Sequence, residues 1–164
     1  MKAERGGFRM LQHEQLLQEM THDPYKPTAK AHEPVACPLC GAVYHRGRWS
    51  WRKAPPKARA SLCPACRRIR EHAPAGFVTL GGEFFRAHRD EILAQVRHCE
   101  EAEKSDHPLQ RIMNIQAEGD GLLVTTTDSH LARRIGDALH HAYRGELAYH
   151  YNKEENLLRV VWTH

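Results

Sequence analysis

Residues 36–45 read Ala-Cys-Pro-Leu-Cys-Gly-Ala-Val-Tyr-His, and residues 62–71 read Leu-Cys-Pro-Ala-Cys-Arg-Arg-Ile-Arg-Glu. The two Cys-x-x-Cys pairs, Cys37/Cys40 and Cys63/Cys66, stand 22 residues apart. That is close to the spacing of a structural zinc site. Two intervening residues let one tight turn aim both sulfurs inward, with Zn–S near ~2.3 Å. Gly41 can supply the positive φ that such a turn often needs. Four thiolates close a tetrahedron and leave no position open for water, so the expected cofactor is a structural Zn ion. A disulfide or a redox pair would need an oxidising compartment or a thioredoxin-like βαβ setting, and the sequence offers neither. Both pairs carry a proline directly after their first cysteine, Pro38 and Pro64. The predicted unit is a four-cysteine zinc ribbon over residues 36–72, in which metal replaces a core that so short a stretch cannot build.

Charge is concentrated in the same stretch. Between Pro34 and Arg70 there are nine basic residues and no Asp or Glu, whereas the whole chain carries only +4. Tyr44, Trp49 and Trp51 are interleaved with them. A cationic finger with flat side chains suits phosphate contacts combined with base stacking. The candidate RNA contacts are Arg46, Arg48, Trp49, Trp51, Arg52, Lys53, Arg67, Arg68 and Arg70. The competing reading is a solvated basic surface whose tryptophans serve the small core of the ribbon.

The remaining sequence predicts an α+β chain: the four-cysteine zinc ribbon, then a helix, then a ββαββ antiparallel-sheet unit. Residues 1–35 read as a flexible N-terminal arm, with Phe8, Leu11, Leu16, Leu17 and Met20 compatible with a short amphipathic helix and a polar, proline-punctuated tail. Residues 42–51 are expected as strand bent at Gly47, and 53–60 as an exposed tip. Residues 73–108 form a connector, compatible with a short strand within 73–81, and a helix from 84 to about 104 on which Phe85, Ile92, Val96 and Cys99 recur at helical spacing. Its acidic end, Glu100, Glu101 and Glu103, opposes the helix dipole and is expected to fray. In the last unit, 109–164, strands at 111–117 and 122–127 flank the turn Gly119-Asp120-Gly121. Asp128 or Ser129 then caps a helix with Leu131, Ile135, Ala138, Leu139 and Ala142 on one face, and Gly145 stops it. A second hairpin follows, with Leu147/Tyr149/Tyr151 and Leu158/Val160/Trp162 facing inward. On the polar side of that helix, Arg133 and Arg134 are candidates for a second RNA contact, against the plainer alternative of a solvated face. Cys99 is assigned to the core.

The segments Cys37-Pro-Leu-Cys-Gly, Cys63-Pro-Ala-Cys, Pro74-Ala-Gly-Phe-Val-Thr-Leu and Thr127-Asp-Ser-His-Leu-Ala-Arg-Arg-Ile-Gly-Asp-Ala-Leu resemble the zinc-binding N-terminal region of the large-ribosomal-subunit export adaptors of eukaryotes and archaea, the family named for nonsense-mediated decay, member three. The resemblance covers roughly residues 36–162 and rests most on 127–139. It implies a short, bacterial relative that binds ribosomal RNA on the large subunit. The further Cys-x-x-Cys pairs, extra β-domains and export signal of the larger members have no counterpart here, so nuclear export is not carried over.

Nothing in the sequence assembles an active site. There is no Gly-x-x-x-x-Gly-Lys-Ser/Thr phosphate cradle, and the thirteen histidines are scattered. The expectation is a non-enzymatic, cytoplasmic, monomeric protein with no membrane association, bound to ribosomal RNA and the large subunit as an assembly, quality-control or hibernation factor. The alternatives are a zinc-ribbon protein–protein adaptor and a DNA-binding regulator.

Overall fold

The computed structural model describes Arg9–Met10, Tyr25 and residues 33–164. Of the stretch expected as an amphipathic helix in the N-terminal arm, Arg9–Met10 form a two-residue strand paired with Tyr151 and His150, and the rest lies outside the described residues. The elements are β1 (Arg9–Met10), β2 (Val35–Ala36), β3 (Val43–His45), β4 (Arg48–Ser50), β5 (Arg59–Ala60), α1 (Pro64–Glu71), β6 (Gly76–Gly81), α2 (Glu83–Ala87), α3 (Arg89–Asp106), β7 (Ile112–Glu118), β8 (Gly121–Thr126), α4 (Ser129–Tyr143), β9 (Glu146–Asn152) and β10 (Leu157–Thr163). They form two sheets, of order β1-β9-β10-β6-β8-β7 and β4-β3-β2-β5.

The larger sheet is mixed, which corrects the expected antiparallel ββαββ unit. Both predicted hairpins form, but they do not meet. Strand β6, from the expected connector, lies between them, antiparallel to β8 and parallel to β10. Its alternation explains the position: Val78 and Leu80 are fully buried on one face, while Phe77 and Thr79 point to the other. Gly76 permits a close approach, since a Cβ there would stand 2.5 Å from the Ala132 Cβ and 2.4 Å from the Thr126 hydroxyl.

Helices α3 and α4 cover one face of this sheet. The core draws on Val78, Phe85, Ile92, Val96, Leu131, Ile135, Leu139, Val160 and Trp162, so residues 73–108 share one body with 109–164. Cys99 packs into it, and burial pushes its thiol pKa up. The expected 84–104 helix is broken at His88, whose ring stacks on Phe84 at 4.0 Å. The acidic end of α3 continues to Asp106, held by tertiary partners. Glu100 accepts the Ile112 N–H at 2.7 Å, and Glu103 pairs with Arg134 at 3.2 Å.

Helix α4 begins as the sequence predicts. The Asp128 carboxylate accepts the His130 N–H at 2.7 Å. Asp128→Ala should lower stability by about 1 kcal/mol, the usual loss of an N-cap, read as a fall in the urea midpoint with unchanged slope. An unchanged midpoint would show that the cap contributes nothing here.

The smaller sheet departs from the ribbon expectation in two ways. Residues 42–51 are a tight hairpin, not one bent strand: Arg46 (φ 52°) and Gly47 (φ 76°) are both left-handed, as a two-residue primed turn requires. The Glu33 carboxylate accepts both of their N–H groups, at 2.7 and 2.9 Å. In addition, Pro64 begins a helix, so the second cysteine pair sits on the first turn of α1, not on a second β-turn. Among the described residues no helix is long and apolar enough to cross a membrane.

Candidate metal centre

Local chemistry brings the four sulfurs together. The first pair lies in a turn closed by two backbone bonds, Gly41 N–H to Cys37 O and Cys37 N–H to Ala42 O, with Gly41 at φ 79°. The second pair uses the helix start: Cys63 is the N-cap of α1, and its sulfur accepts the Cys66 N–H at 3.3 Å. Ala42 N–H points at the Cys40 sulfur, 3.5 Å away. Strand β2 pairs with β3 and runs parallel to β5, which draws the two turns to one end of the small sheet.

All four Sγ atoms lie within 4.8 Å of one another, and none is in a disulfide. Cys40 and Cys63 sulfurs are 3.7 Å apart. A tetrahedron with Zn–S bonds of ~2.3 Å has S···S edges of about 3.8 Å, so the donor set fits a single tetrahedral metal ion. Cys37, Cys63 and Cys66 are buried, and Cys40 is half-buried.

A fifth side chain, unannounced by any sequence pattern, completes the cluster. Arg111, in the loop just before β7, is only 8% exposed. Its Nη1 donates to the Cys66 sulfur at 3.2 Å, and its Nη2 to the sulfurs of Cys40 and Cys63 at 3.0 and 3.5 Å. In sequence it reads only as the first residue of a strand. It lies 45 to 71 residues from the cysteines it touches, and no local pattern links them.

Electrostatics reflects this crowding. Burial works against a thiolate at Cys37, but backbone N–H groups of Cys63, Cys40 and Leu39 bring its pKa down to about 6. Burial pushes the Cys63 and Cys66 thiols up, with Arg111 pulling in the opposite direction. Burial also works against the Arg111 cation, but the sulfurs around it hold its pKa above its ordinary value.

The candidate RNA contacts divide by environment. Arg46, Arg48, Arg52, Lys53, Arg67 and Arg70 are exposed, and none forms an ion pair among the described residues. Arg68 is the correction: it is 4% exposed, donates to Ala73 O at 2.9 Å, and lies 4.0 Å from the centre of the Tyr25 ring. It fastens the end of α1, and its guanidinium is not presented to solvent. Trp49 is half-buried against the cysteine cluster, with its ring 5.4 Å from that of Tyr44. Trp51 is 40% exposed, and its indole N–H reaches the Lys104 carbonyl at 2.7 Å.

Arg133 and Arg134 lie on α4, ion-paired with Asp137 at 3.5 Å and Glu103 at 3.2 Å. They line a groove of about 530 Å³ with His107, Gln110 and His130. A neighbouring groove of about 340 Å³, lined by Tyr44, Arg48, Trp49 and Pro108, shares His107 and Gln110 with it. The two candidate contact sets therefore border adjoining grooves. Comparison of the chain with protein-family models, curated proteins and solved structures gives no match.

Proposed function

We propose that this chain is a zinc-containing RNA-binding protein that docks on ribosomal RNA of the large subunit, as an assembly, quality-control or hibernation factor. One observation carries the reading. A segment with nine basic residues and no acid surrounds a four-cysteine centre, and all of those basic groups except Arg68 are exposed. A tethered, cation-rich finger whose exposed basic groups form no ion pair among the described residues presents fixed positive charge to a polyanion. The resemblance of residues 36–162 to a ribosome-binding family names the RNA class.

In this reading Zn, held by Cys37, Cys40, Cys63 and Cys66, supplies rigidity and no catalysis. Arg46, Arg48, Arg52, Lys53, Arg67 and Arg70 contact phosphates, and Trp51 is the better stacking candidate because Trp49 is committed to packing. The α4 arginines extend the footprint along the adjoining grooves, their charge partly offset by Asp137 and Glu103.

The test is co-sedimentation of the tagged protein with ribosomal subunits on sucrose gradients across a salt series. Wild type should move with the large subunit and dissociate steeply as salt rises, since each phosphate contact releases counterions. A variant carrying Glu at positions 46, 48, 52 and 53 should keep its metal and stay in the top fractions. Trp51→Ala should weaken RNA binding by about 1–3 kcal/mol, the usual contribution of one stacked base. Unchanged binding by the charge-reversed, metal-loaded variant would remove the finger from the interface.

A further inference from the structure

The buried guanidinium on the cysteine cluster comes from a different unit of the molecule than the cysteines. Cys40, Cys63 and Cys66 belong to the small sheet and α1, whereas Arg111 is anchored in the larger body. Its backbone N–H donates to the Thr127 hydroxyl at 2.9 Å, its carbonyl accepts the Thr127 N–H at 2.9 Å, and its Nε donates to Pro108 O at 2.7 Å. Thr127 directly precedes Asp128, the cap of α4. The guanidinium is thus held from behind and presents its fork to three sulfurs. Beside it, Trp51 of the finger bonds to Lys104 of α3, and the Arg111 cation lies 5.8 Å from the centre of the Trp51 ring.

Charge explains why an arginine is placed there. A divalent ion with four thiolates is a dianion, and a buried dianion with no counter-charge is strongly disfavoured. The fork of N–H donors matches several sulfurs at once, which a lysine ammonium cannot do in a fixed plane.

We propose that Arg111 is the counter-ion and clamp of the metal centre, so that metal binding and docking of the cysteine unit on the sheet body are one coupled event. This rests on the reading of the four cysteines as a metal site. Coupling is reciprocal: the factor by which docking through Arg111 tightens the metal is the factor by which metal tightens docking. The finger is then held at a set angle to α4 only in the metal-loaded protein. Groups that hydrogen-bond to metal ligands typically alter affinity 10–100-fold.

The full chain, Arg111→Gln and Arg111→Lys are compared in three measurements. Competition with a chromophoric chelator should show zinc held about 10–100-fold more weakly in Arg111→Gln, with Arg111→Lys in between. In the Co(II)-substituted proteins, the sulfur-to-metal charge-transfer band should shift in Arg111→Gln, because the sulfurs lose their N–H donors. Partial return of the band in Arg111→Lys would identify charge as one component of the clamp. Hydrogen exchange supplies the third readout. Removing zinc from wild type should expose amides in residues 35–66 and also in 104–112, while residues 121–163 stay protected. A folded Arg111→Gln protein with wild-type zinc affinity and an unshifted band would overturn the proposal, as would zinc removal that leaves 104–112 protected. Should Arg111→Gln fail to fold, Arg111→Lys decides by the same readouts. Wild type that binds no zinc would overturn the metal reading and the clamp with it, whereas zinc-loaded wild type beside an indifferent Arg111→Gln would overturn the clamp alone.

Discussion

Cys63→Ser should abolish zinc binding and unfold residues 35–66 while leaving the sheet body intact. A serine hydroxyl stays protonated where a thiolate is needed, so the tetrahedron loses one of its four anionic donors. The small unit has little else to hold it. Its buried cluster consists of Cys37, Ala42, Cys63, Ala65 and Cys66, flanked by Cys40, Trp49, Leu62 and Leu109. Structural zinc sites contribute on the order of 10–16 kcal/mol of apparent binding free energy, which is more than such a cluster can replace. The larger body has its own core from Val78 to Trp162 and should keep a cooperative unfolding transition. Metal analysis and hydrogen exchange on one sample would decide the matter. Retention of one zinc per chain by Cys63→Ser would show that the four cysteines are not the ligand set. Loss of the body's transition along with the metal would show that the two units do not fold separately.

Trp162→Ala should be the most damaging single change in the body, at about 3–5 kcal/mol. Trp162 is fully buried on β10, and its indole N–H donates to the Arg144 carbonyl at 2.7 Å. Truncation would remove the largest fully buried side chain and leave a cavity bordered by α4 and by the Tyr143 ring, 6.3 Å away. It would also orphan a carbonyl at the end of α4, where Arg144 and Gly145 both hold left-handed φ values of 64° and 82°. Urea denaturation should show the midpoint falling with little change in slope, and the folded fraction should still carry its metal. A shift below about 1 kcal/mol would mean that the neighbouring side chains collapse into the space.

Much of this architecture is written in short-range patterns. The first Cys-x-x-Cys turn, the Gly119–Gly121 turn, the Asp128 cap and the Leu131/Ile135/Leu139 stripe each act within a few residues, and each stands where the sequence places it. Residues 111–127 and 146–162 likewise show their alternation directly, because a hairpin is closed by its own turn. The charge segregation that suggests a polyanionic partner is also a property of sequence alone.

What required the tertiary structure was every feature made by groups far apart in the chain. The central position of β6 depends on pairing Gly76 with Leu158, a partner that no turn chemistry near residue 76 announces. The second cysteine pair is legible as a pair, but its place on a helix is not, since the Pro64 that marks a helix start also suits a β-turn. Burial of Arg68 within a basic run and delivery of Arg111 to the sulfurs are the clearest cases, because an arginine reads the same in sequence whether it faces water or a thiolate. Only the folded chain decides, by placing the guanidinium where water is excluded and where sulfur atoms are its remaining hydrogen-bond partners.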